Sequence, residues 1–186
     1  LKTGEGTEFV VDAIEFNDAL RWIDTANDVA FLTMDLHRRG RGELAWRFLD
    51  RYLQQTGDYG MLPLLSLYEV YRAMVRAKIA AIRVGQTQGQ ERGEAENAVQ
   101  VYVDLARRLQ GRETGALVIT HGVSGSGKSH AAAAFLAGVP ALRIRSDVER
   151  KRMLGVAATR DATAAGAYSS QMTRAVYERL LDLAGS

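Results

Sequence analysis

The sequence predicts an α/β chain in two parts: a mostly helical half over residues 1–110 and the opening of a parallel-sheet domain over 115–186. Three observations carry this. Apolar residues recur at helical spacing through most of the first half. A short unbroken apolar run, Ala116-Leu117-Val118-Ile119-Thr120, has the character of a strand buried on both faces. A glycine-rich stretch follows it and leads into an alanine-rich segment, the strand–loop–helix order of α/β proteins.

Composition bounds the rest. With 186 residues, at about 150 per domain, the chain is one domain or two small ones. Apolar residues make up 47% and charged residues 25%, ordinary values that exclude collagen-like and wholly disordered readings. Cysteine is absent, so disulfides, thiolate zinc sites and cysteine nucleophiles are excluded. His37, His121 and His130 are too scattered for a histidine metal site. Lys plus Arg is 24 and Asp plus Glu is 22, a net +2 that gives no reason to expect nucleic acid as a partner. No run reaches the roughly 18 apolar residues of a membrane span, and no secretory pattern opens the chain. A cytoplasmic protein with no membrane partner is expected. Leu1 in place of Met points to a piece of something longer.

Taken in order, Glu8 to Ile14 is a β-like run, and the pattern after it turns helical. Ala26, Val29, Ala30 and Thr33 mark a helix with Asn27 and Asp28 near its start. Leu44, Phe48, Leu49, Tyr52 and Leu53 mark a second, stopped at Gly57. A third is expected from about Leu62 to Val84. Residues 85–93 read as a polar solvated loop, and a fourth helix as Glu94 to Leu109. The seam falls near Gln110 to Gly115, where charge also changes: 14 basic and 16 acidic groups before residue 111, net −2, then 10 and 6, net +4. Beyond it, Ala116–Thr120 and Ala141–Arg145 are the expected strands, and Ser146–Leu154 and Tyr168–Ala184 the expected helices.

Gly122-Val123-Ser124-Gly125-Ser126-Gly127-Lys128-Ser129 matches G-x-x-x-x-G-K-[ST] at every fixed position. A loop that wraps phosphates must turn successive backbone N–H groups inward, which glycine permits. Lys128 at the helix start reaches the outer phosphates, the Ser129 hydroxyl ligates Mg²⁺, and the helix N-terminus adds its partial positive charge. ATP and Mg²⁺ are the expected cofactors, with all eight residues in the nucleotide site.

This octet resembles the P-loop of small-molecule kinases of the gluconate kinase type, within the AAA-type ATPases and kinases. The run Leu142 to Arg152, with Ser146-Asp147 and Arg150-Lys151, is similar to the segment after the second strand in related P-loop kinases. The resemblance implies that Asp147 faces the acceptor hydroxyl as a catalytic residue beside Lys128, and that Arg150 helps hold the substrate. A competing reading makes Ser146 and Glu149 a capping box and Asp147 a first-turn acid suited to the helix dipole. Arg143, Arg145, Lys151 and Arg152 then form a solvated basic face.

Asp12 to Asp24, running on through Asn27-Asp28-Val29-Ala30-Phe31-Leu32, is similar to the C-lobe of aminoglycoside-phosphotransferase-like kinases, over about residues 8–84. That resemblance makes Asp12 a Mg²⁺ ligand, with Glu15 the runner-up and Asp28 structural. The family's catalytic loop is not found upstream of Asp12. The two resemblances together imply a bacterial two-part protein, a kinase-like C-lobe followed by the start of a P-loop NTPase domain, with this chain spanning the join. The leading functional expectation is ATP-dependent phosphoryl transfer to a small-molecule hydroxyl, the fragment alone being inactive. The alternatives are a nucleotide-sensing regulatory module and an aminoglycoside-type phosphotransferase with an accessory P-loop domain.

Overall fold

The computed structural model describes residues 23–111, 115–123, 125–156 and 167–185. The described chain opens at α1 (Thr25–Arg38), whose start is fixed by the Asp24 carboxylate accepting a hydrogen bond from the amide of Ala26 at 2.9 Å. Next comes α2 (Gly42–Thr56). It ends where expected, at Gly57, whose φ of +75° lies in the left-handed region that favours glycine. A single 3₁₀ turn (Tyr59–Met61) leads into α3 (Leu62–Gln86), with Pro63 in its first turn, where no backbone N–H is needed.

Helices α3 and α4 (Gly89–Gln110) form the most extensive pairing among the described residues, and α1 packs against both α2 and α3. Small residues make the close approaches: Ala73, Ala77 and Ala80 on α3 and Ala95 and Ala106 on α4 are buried. The Ser66 hydroxyl donates to the carbonyl of Leu109 at 2.8 Å, satisfying one of the last carbonyls of α4.

The segment expected as a loop over 85–93 is mostly helical. Only Thr87 and Gln88 interrupt it. The polar residues there do not pack. They are exposed and support the first turns of α4 through Gln90–Glu94 and Arg92–Glu96 pairs four residues apart.

The expected α/β class with a parallel sheet is overturned. Every regular element among the described residues is helical: α5 (Lys128–Leu136), α6 (Ser146–Met153) and α7 (Ser170–Gly185) complete the order. A strand exists only through its ladder, and among the described residues neither expected strand of the second half has one. Leu117, Val118 and Ile119 have no regular structure and are 64%, 65% and 79% exposed, with no described strand on either edge. Ala141–Arg145 likewise has no regular structure, and the polar groups of Arg143 bond to side chains of the helical half instead of to a strand. The run Glu8–Ile14 lies outside the described residues.

That docking carries one hydrophobic core across the seam. Ala26, Val29, Leu49, Leu53, Tyr59 and Leu65 form its centre, Leu183 of α7 joins them, and Leu142 and Ile144 pack against it. Each fully buried large side chain here contributes about 1.5–3 kcal/mol.

Candidate functional site

The glycine loop has the backbone its sequence requires. Gly122, Gly125 and Gly127 all have positive φ, +152°, +78° and +81°. At Gly122 a Cβ would stand 2.8 Å from the Ser126 hydroxyl oxygen, so close approach as well as dihedral demands glycine there. Gly127 precedes α5, and Lys128 is the first helical residue. The Lys128 ammonium donates to the carbonyls of Gly122 at 2.8 Å and Val123 at 2.6 Å, which ties it across the mouth of the loop. The amides at the start of α5 have no acceptor within the helix, and its dipole adds positive character where Lys128 and Ser129 sit. The residues present therefore fit a phosphate chain. Ser124 lies outside the described residues. Val123, Ser126 and Ser129 are exposed.

Asp147 and Arg150 lie on α6. The Asp147 side chain is 47% exposed and pairs with Lys151 at 3.3 Å. Arg150 is buried, its guanidinium 4.6 Å from the centre of the Tyr168 ring, and its Nε has no hydrogen-bond partner among the described residues. Among the described residues no hydrogen bond or ion pair joins either side chain to the glycine loop. The Ser146–Glu149 capping box does not form. Ser146 is already helical, and Glu149 turns inward, 1% exposed, to pair with Arg152 and, at 3.9 Å, Arg179. Asp12 and Glu15 lie outside the described residues. Asp28 is at the surface, 3.8 Å from Arg72. His121 and His130 are exposed.

Arg143 and Arg152 are not on a solvated basic face. Arg143 grips Asp50 of α2, a carboxylate only 5% exposed. Its backbone N–H reaches Oδ1 at 2.9 Å and its guanidinium reaches Oδ2 at 2.6 Å. The hydrogen bond to Asp50 raises the Arg143 pKa further. The Arg143 carbonyl accepts from Gln54 and from the Tyr59 hydroxyl. Burial, with the nearby Glu149 carboxylate, pushes Tyr59 up to about 12. Arg152 donates to the carbonyl of Gln54 at 3.0 Å, at the C-terminal end of α2. One signal of this seam was present in the sequence: Asp50 follows Leu49 on an otherwise apolar helical stripe through Ala45, Leu49 and Leu53.

Residues 117–186 match the family model of an AAA domain. The match covers the glycine loop and α5 to α7, so a P-loop nucleotide-binding segment of AAA type is supported in this half. The chain is also similar to curated relatives, an uncharacterized protein of Mycobacterium tuberculosis, Rv2004c, and one of Mycobacterium bovis, Mb2027c. Each is 34% identical over 180 residues, covering 95% of this chain and 35% of the relative. The chain thus spans about a third of the length of the curated relatives it matches. No solved structure matches. Among the described residues, no helix is long and apolar enough to cross a membrane.

Proposed function

We propose that residues 115–186 are the nucleotide-binding unit of an ATP-dependent kinase, supported by a helical unit over 1–110, and that the parent protein transfers the γ-phosphoryl group of ATP to a small-molecule hydroxyl. The observation that carries this is the glycine loop: three positive-φ glycines, an ammonium tied across them and a helix N-terminus behind. The AAA-domain match over the same residues supports it.

The chemistry assigned to each residue follows from charge and reach. Loop amides and Lys128 bind the phosphates, and the Ser129 hydroxyl, with Asp12 as a further candidate, would hold Mg²⁺. When bound, the ion neutralises charge on the phosphates. Arg150 would help hold the acceptor. The Asp147 carboxylate orients the acceptor hydroxyl and takes its proton as the new oxygen–phosphorus bond forms. The bond from the γ-phosphorus to the bridging oxygen breaks, and ADP leaves. A likeness of residues 8–84 to an aminoglycoside-phosphotransferase C-lobe belongs to the same proposal.

The test is Asp147→Asn in the full-length protein. If Asp147 acts in transfer, kcat falls roughly 10²- to 10⁴-fold with ATP affinity preserved. Loss of its exposed pair with Lys151 alone costs stability of only about 0.3–0.5 kcal/mol. An unchanged kcat would refute the assignment. A second reading, a nucleotide sensor without transfer, is favoured by the pairing of Asp147 with Lys151 rather than with the loop. It expects MgATP binding and no phosphorylated product.

A further inference from the structure

We propose that Asp50 and Arg152 are positioning residues for phosphoryl transfer, holding helix α6 and its Asp147 at a fixed place on helix α2; this rests on the reading of Asp147 given above. Helix α6 has eight residues. Isolated helices shorter than about 12–15 residues are marginal in water, so α6 takes its place from what anchors it. Helix α7 packs against it, and two arginines, Arg143 and Arg152, one on either side of Asp147 in the chain, tie it to the C-terminal half of α2.

The two grips differ in chemistry. Asp50 accepts from the Arg143 backbone N–H as well as from its guanidinium, so the pair fixes the course of the chain and not only a side chain. Arg152 spans the carbonyl of Gln54 and the buried Glu149, linking the end of α2 to the body of α6. Apolar residues of similar size at such sites stabilise a fold as well as or better than a buried ion pair. A guanidinium fork on a carboxylate instead fixes direction.

Gly57 makes room for the second grip. A Cβ there would lie 2.4 Å from the Arg152 Nε and 2.6 Å from its Cζ. The residue that ends α2 is thus also the clearance for the guanidinium. The arrangement makes the helical half the base on which the acceptor-facing side chain is aimed, while the glycine loop, which these grips do not touch, binds nucleotide by itself.

The experiment uses the full-length protein as wild type, Asp50→Asn and Arg152→Lys. MgATP affinity is measured by calorimetry, transfer from ATP to a panel of sugar acids and polyols by product formation, and amide hydrogen exchange over residues 146–153 by mass spectrometry. Displacements of about 1 Å cost up to about 10²-fold in rate. Both variants should therefore lose about 10- to 100-fold in kcat and exchange faster over 146–153, with MgATP affinity within about twofold of wild type. Arg152→Lys keeps the positive charge beside Glu149 but loses the guanidinium fork, so it serves if Asp50→Asn does not fold. Wild type that transfers to no acceptor overturns the transfer reading and this inference with it. Active wild type with unchanged kcat in folded variants overturns the positioning role alone, and so does a lowered melting temperature with intact kcat.

Discussion

On the proposed function, Lys128 is the residue on which nucleotide affinity turns. Its ammonium is held by the carbonyls of Gly122 and Val123, so its direction is set by the loop before any phosphate arrives. Lys128→Ala removes one charge-assisted contact and should weaken MgATP binding by about 1.5–3 kcal/mol. Calorimetric titration checks this, and equal affinities would contradict it. The place of this residue, at the start of α5 behind the glycine loop, was legible in the sequence because loop, lysine and hydroxyl are close neighbours in the chain. Arg152 was not. Its role depends on the end of α2 and on Gly57, about a hundred residues upstream, which no local pattern reports.

At the scale of the element, local signals worked where they were local. Apolar periodicity located α1, α2 and α3, and Gly57 stopped α2 through its left-handed dihedral. They failed at 85–93, where polarity suggested a loop and helix-stabilising pairs made a helix. They failed again at Leu117–Ile119, where apolar character suggested a buried strand. A strand needs partners, and composition cannot show whether they are present. Helix α4 yields a direct prediction. Gly93 lies within it, with open space where a Cβ would stand. Gly93→Ala should stabilise the fold by roughly 0.5–1 kcal/mol, because alanine loses less backbone freedom on becoming helical. Chemical denaturation midpoints check it, and a lowered midpoint would refute the helical assignment of this turn.

Across the whole molecule, the polar seam between α2 and residues 143–152 joins two stretches that the charge pattern had separated. Its pH dependence follows from Tyr59. The phenol is neutral at physiological pH and donates to the Arg143 carbonyl. Its pKa of about 12 exceeds the ordinary value of 10.0, so the stability it contributes is complete below about pH 10 and is lost as pH rises toward 12. Tyr59→Phe should cost about 1 kcal/mol at neutral pH through the lost hydrogen bond. It should also flatten the alkaline loss of stability between about pH 10 and 12. Denaturation curves for both proteins across that range decide it, and parallel curves would exclude Tyr59 as the titrating group.

The sequence by itself determined the described helices of the first half, apart from the turns over 85–93, and the place of the glycine loop. Each depends on side chains within a few positions of one another, so spacing along the chain stands in for spacing in space. Only the tertiary structure decided that the described part of the second half brings no ladder to Leu117–Ile119 and that Arg143 lies on Asp50. It alone also decided that Glu149 is buried instead of capping its helix. Those outcomes depend on which distant groups satisfy a backbone amide or a buried charge. That competition is settled by packing, because a polar group removed from water takes whichever partner the assembled core brings within reach.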